Sequence, residues 1–451
     1  MSISRRALAR SLVAGALGTT ALAGCRIGPL GRDDPTTPAA GELSESVPDE
    51  PLRIGAILTT AGPVGQAHPQ VIAAINQAMR EINYDGGVFG REVELLEPRI
   101  VESADDDLGA IAEELAADRA SALVLSVDDA QLVTHLQAIA DTGMALVSPT
   151  STSTRVRSGA AGSGLLTRLA PTQEAIARHL VEESVGLHPQ KGGAPGTIAF
   201  LGTDDEASEN LRDQLTTQGR PHGAKLVLEE TYPFRKLGDA KARAKRIAKA
   251  KPAMLVLTGG EETGTLLGAL HDELADDDGR PRFDIAVRLP GLGARDHAGE
   301  HLPKETLKGA QAIQAGGAVS ETFRLMMLNA DSDLVELGPP AMGAATQAYD
   351  AVALLCLAAQ QALSLEGTTI AGAIPDLLDG ETECADVGEC VDQLRSSLQY
   401  DETASIAYAL ATGDLALGKD GDPVSGALRT FTFAEDGAIS APTPATFDLS
   451  G

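Results

Sequence analysis

The sequence predicts an α/β fold built from parallel sheets covered by helices on both faces, and three observations predict it. From Leu52 onward, short apolar runs of strand length alternate with stretches whose apolar residues recur at helical spacing. The same rhythm resumes after Thr197, so the pattern is long enough for more than one sheet. At 451 residues and 43% hydrophobic, the chain can bury sizeable cores, with room for two to three ordinary domains or one large two-lobed body.

The elements follow in order. Arg53 to Leu58 reads as a buried strand, followed by a turn at Gly62-Pro63. Gln70 to Ile82 carries Val71, Ala74, Ile75, Ala78, Met79 and Ile82 on one helical stripe. Asp85-Gly86-Gly87 ends that helix, because glycine tolerates the left-handed cap conformation. Val93–Leu96, Ala122–Leu125 and Met144–Val147 are predicted strands, with helices over Gly109–Ala117 and Ala130–Ala140. In the second half, strands Thr197–Leu201 and Ala253–Leu257 bracket helices Glu209–Gln218 and Asp239–Ala250. Ligands of such folds lie beyond the carboxyl ends of the strands. That directs attention to the loops after Leu58, Leu125, Val147, Leu201 and Leu257.

Composition excludes several classes. Aromatics are 3% and Trp is absent, which argues against a site that stacks sugars or bases. The formal charge of −28 repels nucleic acid, so no nucleic-acid partner is expected. Arg235 to Lys251 carries eight Lys/Arg and one acid, Asp239, without interleaved aromatics of a nucleic-acid site, and reads as a solvated helix face. No Gly-x-Ser-x-Gly elbow, phosphate loop or His pair at ligand spacing appears, so neither an enzyme, a metal site nor a cofactor is predicted.

The N-terminus indicates where the protein works. Ser4-Arg5-Arg6-Ala7-Leu8 opens a basic region, and Ser11 to Ala21 form an apolar run too short for a permanent span. Leu22-Ala23-Gly24-Cys25 resembles a bacterial lipobox, which implies removal of residues 1–24 and lipidation of Cys25. Arg5-Arg6 also resembles a twin-arginine signal, leaving the Sec and twin-arginine routes open. Residues 25–51, rich in Pro, Gly and acids, read as a tether. Cys384 and Cys390 suit a local disulfide in an oxidising compartment, with a metal pair as the competitor, and Cys356 sits in an apolar run as a core residue. No further apolar stretch of membrane length is read after the signal.

Residues 53–90 resemble the opening of the leucine/isoleucine/valine-binding family of type I periplasmic binding proteins. The resemblance rests on Ile54-Gly55-Ala56, Ala61-Gly62-Pro63 and Glu81-Ile82-Asn83 followed by Gly86-Gly87-Val88, Gly90 and Arg91. Val147-Ser148-Pro149 with Thr152 is similar to the family's first-lobe binding loop, Tyr349-Asp350-Ala351 to the start of a late first-lobe helix, and Gly413 to Pro423 to its closing hairpin. The resemblance implies two Rossmann-like lobes joined by three crossovers near Ala170, Gln311 and Val424. Lobe 1 is then 52–170 plus 312–424, and lobe 2 is 171–311 plus 425–445. It also implies a monomeric, lipid-anchored solute-binding protein that captures a small polar molecule, such as an amino acid or amide, for an ABC permease in the cell membrane. The other reading is a sensor or envelope scaffold that kept the fold and lost transport.

The family holds a ligand carboxylate with hydroxyls and N–H groups at helix starts, where the dipole is positive. Thr150-Ser151-Thr152 keeps that hydroxyl-rich loop, though Ser and Thr also cap helices. Where the family has small residues and serine, this chain has Asp128-Asp129, either helix caps or a change of pocket polarity. In the second lobe, Asp205, Glu206, Glu261 and Glu262 occupy the pocket loops, with Ala207 and Glu261 near positions that are often aromatic. The acid that receives a ligand ammonium in the family falls near Gly291. These nine residues, Thr150 to Thr152 and the six acids, are the expected ligand-binding set, and their shared sign suggests a cationic or strongly hydrogen-bonding ligand.

Overall fold

A computed structural model describes residues 47–159, 164–188, 192–277, 280–331, 334, 342–399 and 405–450. The expected signal, Cys25 and nearly all of the expected tether lie outside these residues.

The first lobe opens with β1 (Arg53–Thr59), α1 (His68–Tyr84), β2 (Glu94–Leu95), β3 (Arg99–Val101) and α2 (Leu108–Ala117). It continues with β4 (Ala122–Ser126), α3 (Asp129–Asp141), β5 (Ala145–Ser148), α4 (Val156–Gly159) and β6 (Leu166–Arg168). The strands form one parallel sheet in the order β2-β1-β4-β5-β6, with β3 also on β1. Parallel strands buried on both faces need continuous apolar runs, and Ile54 to Leu58 and Ala122 to Leu125 supply them. Gly87, at φ 66°, ends α1 by donating its N–H to the Ile82 carbonyl at 2.8 Å, which fits the predicted glycine stop.

The chain then builds α5 (Gln173–Gly186), β7 (Thr197–Thr203), α6 (Glu206–His222), β8 (Lys225–Tyr232), α7 (Ala240–Ala250), β9 (Met254–Leu257), α8 (Glu262–Leu274), β10 (Ala286–Pro290) and β11 (Gln311–Ala315). It returns to the first core with α9 (Glu321–Ala330), α10 (Met342–Ala362), α11 (Gly367–Ala373), β12 (Thr382–Cys384), α12 (Val387–Gln399) and β13 (Ile406–Tyr408). It ends with β14 (Leu415–Leu417), β15 (Pro423–Phe431) and β16 (Thr443–Asp448). The second sheet runs β14-β15-β11-β10-β9-β7-β8, parallel from β11 to β8, with β14, β11 and β16 antiparallel to β15. Phe323 and Met327 of α9 belong to the first core, while β11 extends the second sheet to Ala315, so the second passage between cores runs through Gly316-Gly317. β14 pairs in the second sheet, yet its Leu415 and Leu417 pack against the first core.

Two sequence readings change here. α10 is long and apolar enough to cross a membrane, contrary to the expectation of no such stretch. It is nonetheless a core helix, with 89% of its apolar window buried inside the protein. Tyr349-Asp350 lies two turns inside α10 rather than at its start, because Ala345 and Ala348 already pack in the core before it. Asp350, fully buried, accepts hydrogen bonds from the Tyr408 hydroxyl (3.1 Å), the Ala411 and Thr412 N–H groups (2.9 and 2.7 Å) and the Thr412 hydroxyl (2.6 Å). Cys384 and Cys390 are disulfide-bonded, and Cys356 is a buried free thiol.

Candidate functional site

The turns after β4, β5, β7 and β9 meet at the carboxyl ends of the two sheets, as the strand order requires. Asp128 caps α3 from an extended backbone, accepting the Ala130 N–H at 2.9 Å. Burial pushes its carboxyl up to about 6 against that hydrogen bond, and the charges of Asp129, Asp205 and Glu206 add to the rise. Those partners span both lobes, so Asp128, Asp205 and Glu206 do converge across the cleft.

Asp129 does something different. It is 4% exposed and turns inward, accepting from the Ser151 hydroxyl at 2.6 Å, the Thr152 N–H and hydroxyl at 3.0 and 3.2 Å, and the Ser153 N–H at 2.8 Å. The loop that resembles a carboxylate-binding loop therefore spends its donors on a carboxylate of its own chain. Thr150 donates its hydroxyl to Ser126 at 3.2 Å, and Gln173 reaches the Thr152 hydroxyl at 2.9 Å.

In the second lobe, Asp205 caps α6, accepting the Ser208 N–H at 3.0 Å and the Thr203 and Ser208 hydroxyls. Glu206 faces the first lobe, taking the Ser153 hydroxyl at 2.8 Å and Arg155 at 2.9 Å. Arg155 also pairs with Asp213, while the Asn210 side-chain oxygen accepts the Thr154 N–H at 3.0 Å. The lobes thus bond directly along residues 153–155 and the face of α6. Glu262 accepts the Tyr232 hydroxyl at 3.1 Å and the Gly260 N–H at 3.2 Å, and its other oxygen is buried with no hydrogen bond among the described residues. Burial and the Glu262 carboxylate raise the Tyr232 phenol above its ordinary range, and Asp205 contributes, which puts this phenol beside the acids. Glu261 stands exposed at the start of α8 and makes no capping hydrogen bond, so it does not join the cluster through one.

Residues 51–273 match a family model described as periplasmic binding protein. Over those residues the chain is similar to that family. No curated protein sequence matches the chain. Among solved structures, the leucine binding protein LivK of Thermotoga maritima is similar at 16% identity, covering 88% of this chain and 99% of that one, with a TM-score of 0.60. LivJ of Streptococcus pneumoniae in complex with isoleucine is 15% identical over 88% and 100%, with a TM-score of 0.61. A solute binding protein of an ABC transporter from Rhodopseudomonas palustris HaA2, in complex with p-hydroxybenzoic acid, is 14% identical over 89% and 98%, at 0.63. These likenesses show the two-lobed fold of type I periplasmic binding proteins and agree with the family read from the sequence.

Two groups escaped the sequence reading. Tyr232 ends β8, an edge strand in which the short apolar run Leu226-Val227-Leu228 is followed by Glu229 and Glu230. Arg155, Arg157 and Arg168 flank the first crossover, and a basic residue near an apolar run carries no sign of its partner. For Arg157 and Arg168 the partner is Asp422, which accepts Arg168 Nε at 2.7 Å, Arg168 Nη2, and Arg157 Nε and Nη2 at 3.0 and 2.8 Å. Burial would push the Asp422 carboxyl up, but the two guanidiniums hold it below the usual carboxylate range. Arg168 is fully buried and also donates to the Ser153 carbonyl at 2.6 Å, tying the closing hairpin to the cleft loop.

Proposed function

We infer that the chain is an extracytoplasmic solute-binding protein, anchored through a lipid on Cys25, that captures a small solute between its lobes for an ABC importer. The two-lobed division belongs to this reading, expected as 52–170 plus 312–424 and 171–311 plus 425–445, with β11 passing to the second lobe because it pairs in the second sheet. The chemistry is recognition by hydrogen bonds and charge; the similar structures are solute-binding proteins, and turnover is not part of the reading.

One observation carries the choice of ligand. The Asp129 carboxylate already takes the hydroxyls and N–H groups of the loop at Ser151 to Ser153. A ligand carboxylate would have to displace it and sit near Asp128 as well, at a Coulombic cost. The ligand is therefore one without a free carboxylate, carrying positive charge or several N–H donors toward Asp128, Asp205, Glu206 and Glu262. Amides and polyamines fit; an unmodified amino acid or aromatic acid does not.

The direct bonding of Ser153, Thr154 and Arg155 to α6 favours the second reading, a sensor or scaffold whose lobes are joined by their own side chains. A thermal-shift screen of Ser46–Gly451, one compact unit, separates the two. Dose-dependent stabilisation by amides or polyamines, and none by amino acids, supports capture of the proposed ligand. Stabilisation by amino acids alone removes the ligand assignment, and a flat panel removes capture.

A further inference from the structure

Arg429, on β15, is 1% exposed. Its Nη1 donates to the Gly317 carbonyl at 3.3 Å, whereas Nε and Nη2 have no hydrogen-bond partner among the described residues. Burial is the one cause acting on its ionisation, lowering it to about 10; no carboxylate acts on it. Opposite it in register on β11, Gln314 leaves its carboxamide oxygen unbonded as well, and its NH2 group reaches the Ala294 carbonyl at a long 3.4 Å.

The guanidinium leaves the second sheet and meets the start of α10, which belongs to the first core. A Cβ on Gly343, in the first turn, would stand 2.1 Å from Arg429 Nη2 and 3.6 Å from the Gln314 oxygen. Glycine is what allows this approach. The first turn of a helix has unpaired N–H groups and a partial positive charge. Two positive groups from opposite lobes thus face each other, one of them a buried cation with two free N–H vectors. Buried charges are otherwise paired.

We propose that Arg429, the first turn of α10 and the Gln314 carboxamide form an interlobe site for a small monovalent anion, a halide or a carboxylate. The anion accepts from Nε and Nη2 of Arg429 and from the N–H groups at Gly343, and Gln314 turns its amide to present NH2. The nitrogens are closed off from solvent in this conformation, so the ion enters as the lobes part and is enclosed as they meet. Without it, guanidinium and helix start repel and favour the open form; with it, closure is favoured. This site is separate from the acids at Asp128 and Asp205, and it stands whatever solute the cleft takes.

The test follows the thermal midpoint of the full chain by circular dichroism, in sodium HEPES, which is neither halide nor carboxylate, at constant ionic strength titrated with chloride, formate or acetate. The wild type should show a saturable rise of about 3 °C at a hundredfold excess over the dissociation constant. Arg429→Met should show no rise, and in HEPES alone its midpoint should be no lower than wild type, because an unpaired buried charge has gone. A purely structural arginine would instead lower it. Gly343→Ala keeps the charge but fills the site, so it must lose the rise as well, which keeps the test open should the methionine variant fail to fold. A response to chloride marks a free inorganic ion, and a response to formate or acetate alone marks a carboxylate. No saturable rise in the wild type, or the same rise in either variant, overturns the proposal.

Discussion

Replacing Asp129 with Ser tests whether this carboxylate fills the place of a ligand. Asp129 is buried and accepts two backbone N–H groups, from Thr152 and Ser153, and two hydroxyls, from Ser151 and Thr152. The hydroxyls can rotate to other acceptors, but the N–H groups cannot, and each one left unpaired costs about 1–3 kcal/mol. A serine hydroxyl recovers part of this, so the loss is about 3 kcal/mol. For a unit running from Ser46 to Gly451, an unfolding entropy of about 2.1 cal/mol/K per residue converts that loss into a midpoint lower by about 3–4 °C. The freed donors then form an anion site. A carboxylate ligand at a hundredfold excess over its dissociation constant returns about 2.7 kcal/mol, nearly the whole loss. The assay is a thermal-shift titration of wild type and Asp129→Ser with amino acids at constant chloride, so that an anion held at Arg429 contributes equally to both. Amino acids should stabilise the variant and leave the wild type unmoved. Equal stabilisation of both proteins, or none of the variant, refutes the reasoning.

Asp422→Asn should cost about 3–5 kcal/mol at neutral pH, because it strips the buried Arg168 of its counter-ion. The Asp422 pKa is depressed, so the pairing contributes above the unfolded value of 3.8 and is lost as pH falls through the lower folded one. Chemical denaturation of both proteins should therefore show a difference that narrows below about pH 4; a constant difference down to acid pH would mean that the charge is irrelevant. Asp128→Asn should work in the opposite sense. The folded pKa of Asp128 is raised to about 6, so its ionisation opposes folding, with the penalty growing from about pH 4 and complete above about pH 6. The asparagine variant, still a good helix cap, should gain on the order of 1–3 kcal/mol at pH 7.5 and almost nothing at pH 4. A midpoint at pH 7.5 no higher than wild type would show that the acids do not crowd one another.

Most strands and helices up to Leu257 were legible because each carries a periodic apolar signal of ordinary length, and the order of short motifs pointed to the family; β3, β6, α4, α5 and β8 were not read. Boundaries moved by a few residues where polar caps extend an element, as with Glu206, which lies at the first turn of α6 ahead of its apolar stripe. The strand Lys225–Tyr232 was not legible, since an edge strand needs only one buried flank and its alternation is broken by Glu229 and Glu230.

For the site, the sequence by itself determined which loops would meet and that they are rich in acids and hydroxyls. That follows from the fold, because every parallel strand delivers its following loop to the same edge. Only the tertiary structure decided what each acid does. Asp128 and Asp129 are adjacent in sequence, yet one looks into the cleft and the other is consumed by Ser151 to Ser153. A helix start turns successive side chains by about 100°, and which direction holds donors depends on a loop more than twenty residues away. The pairing of Arg168 with Asp422 and the burial of Arg429 with no carboxylate beside it among the described residues are of the same kind. Charge is written in the sequence, but its partner is set by where the crossovers bring the chain back.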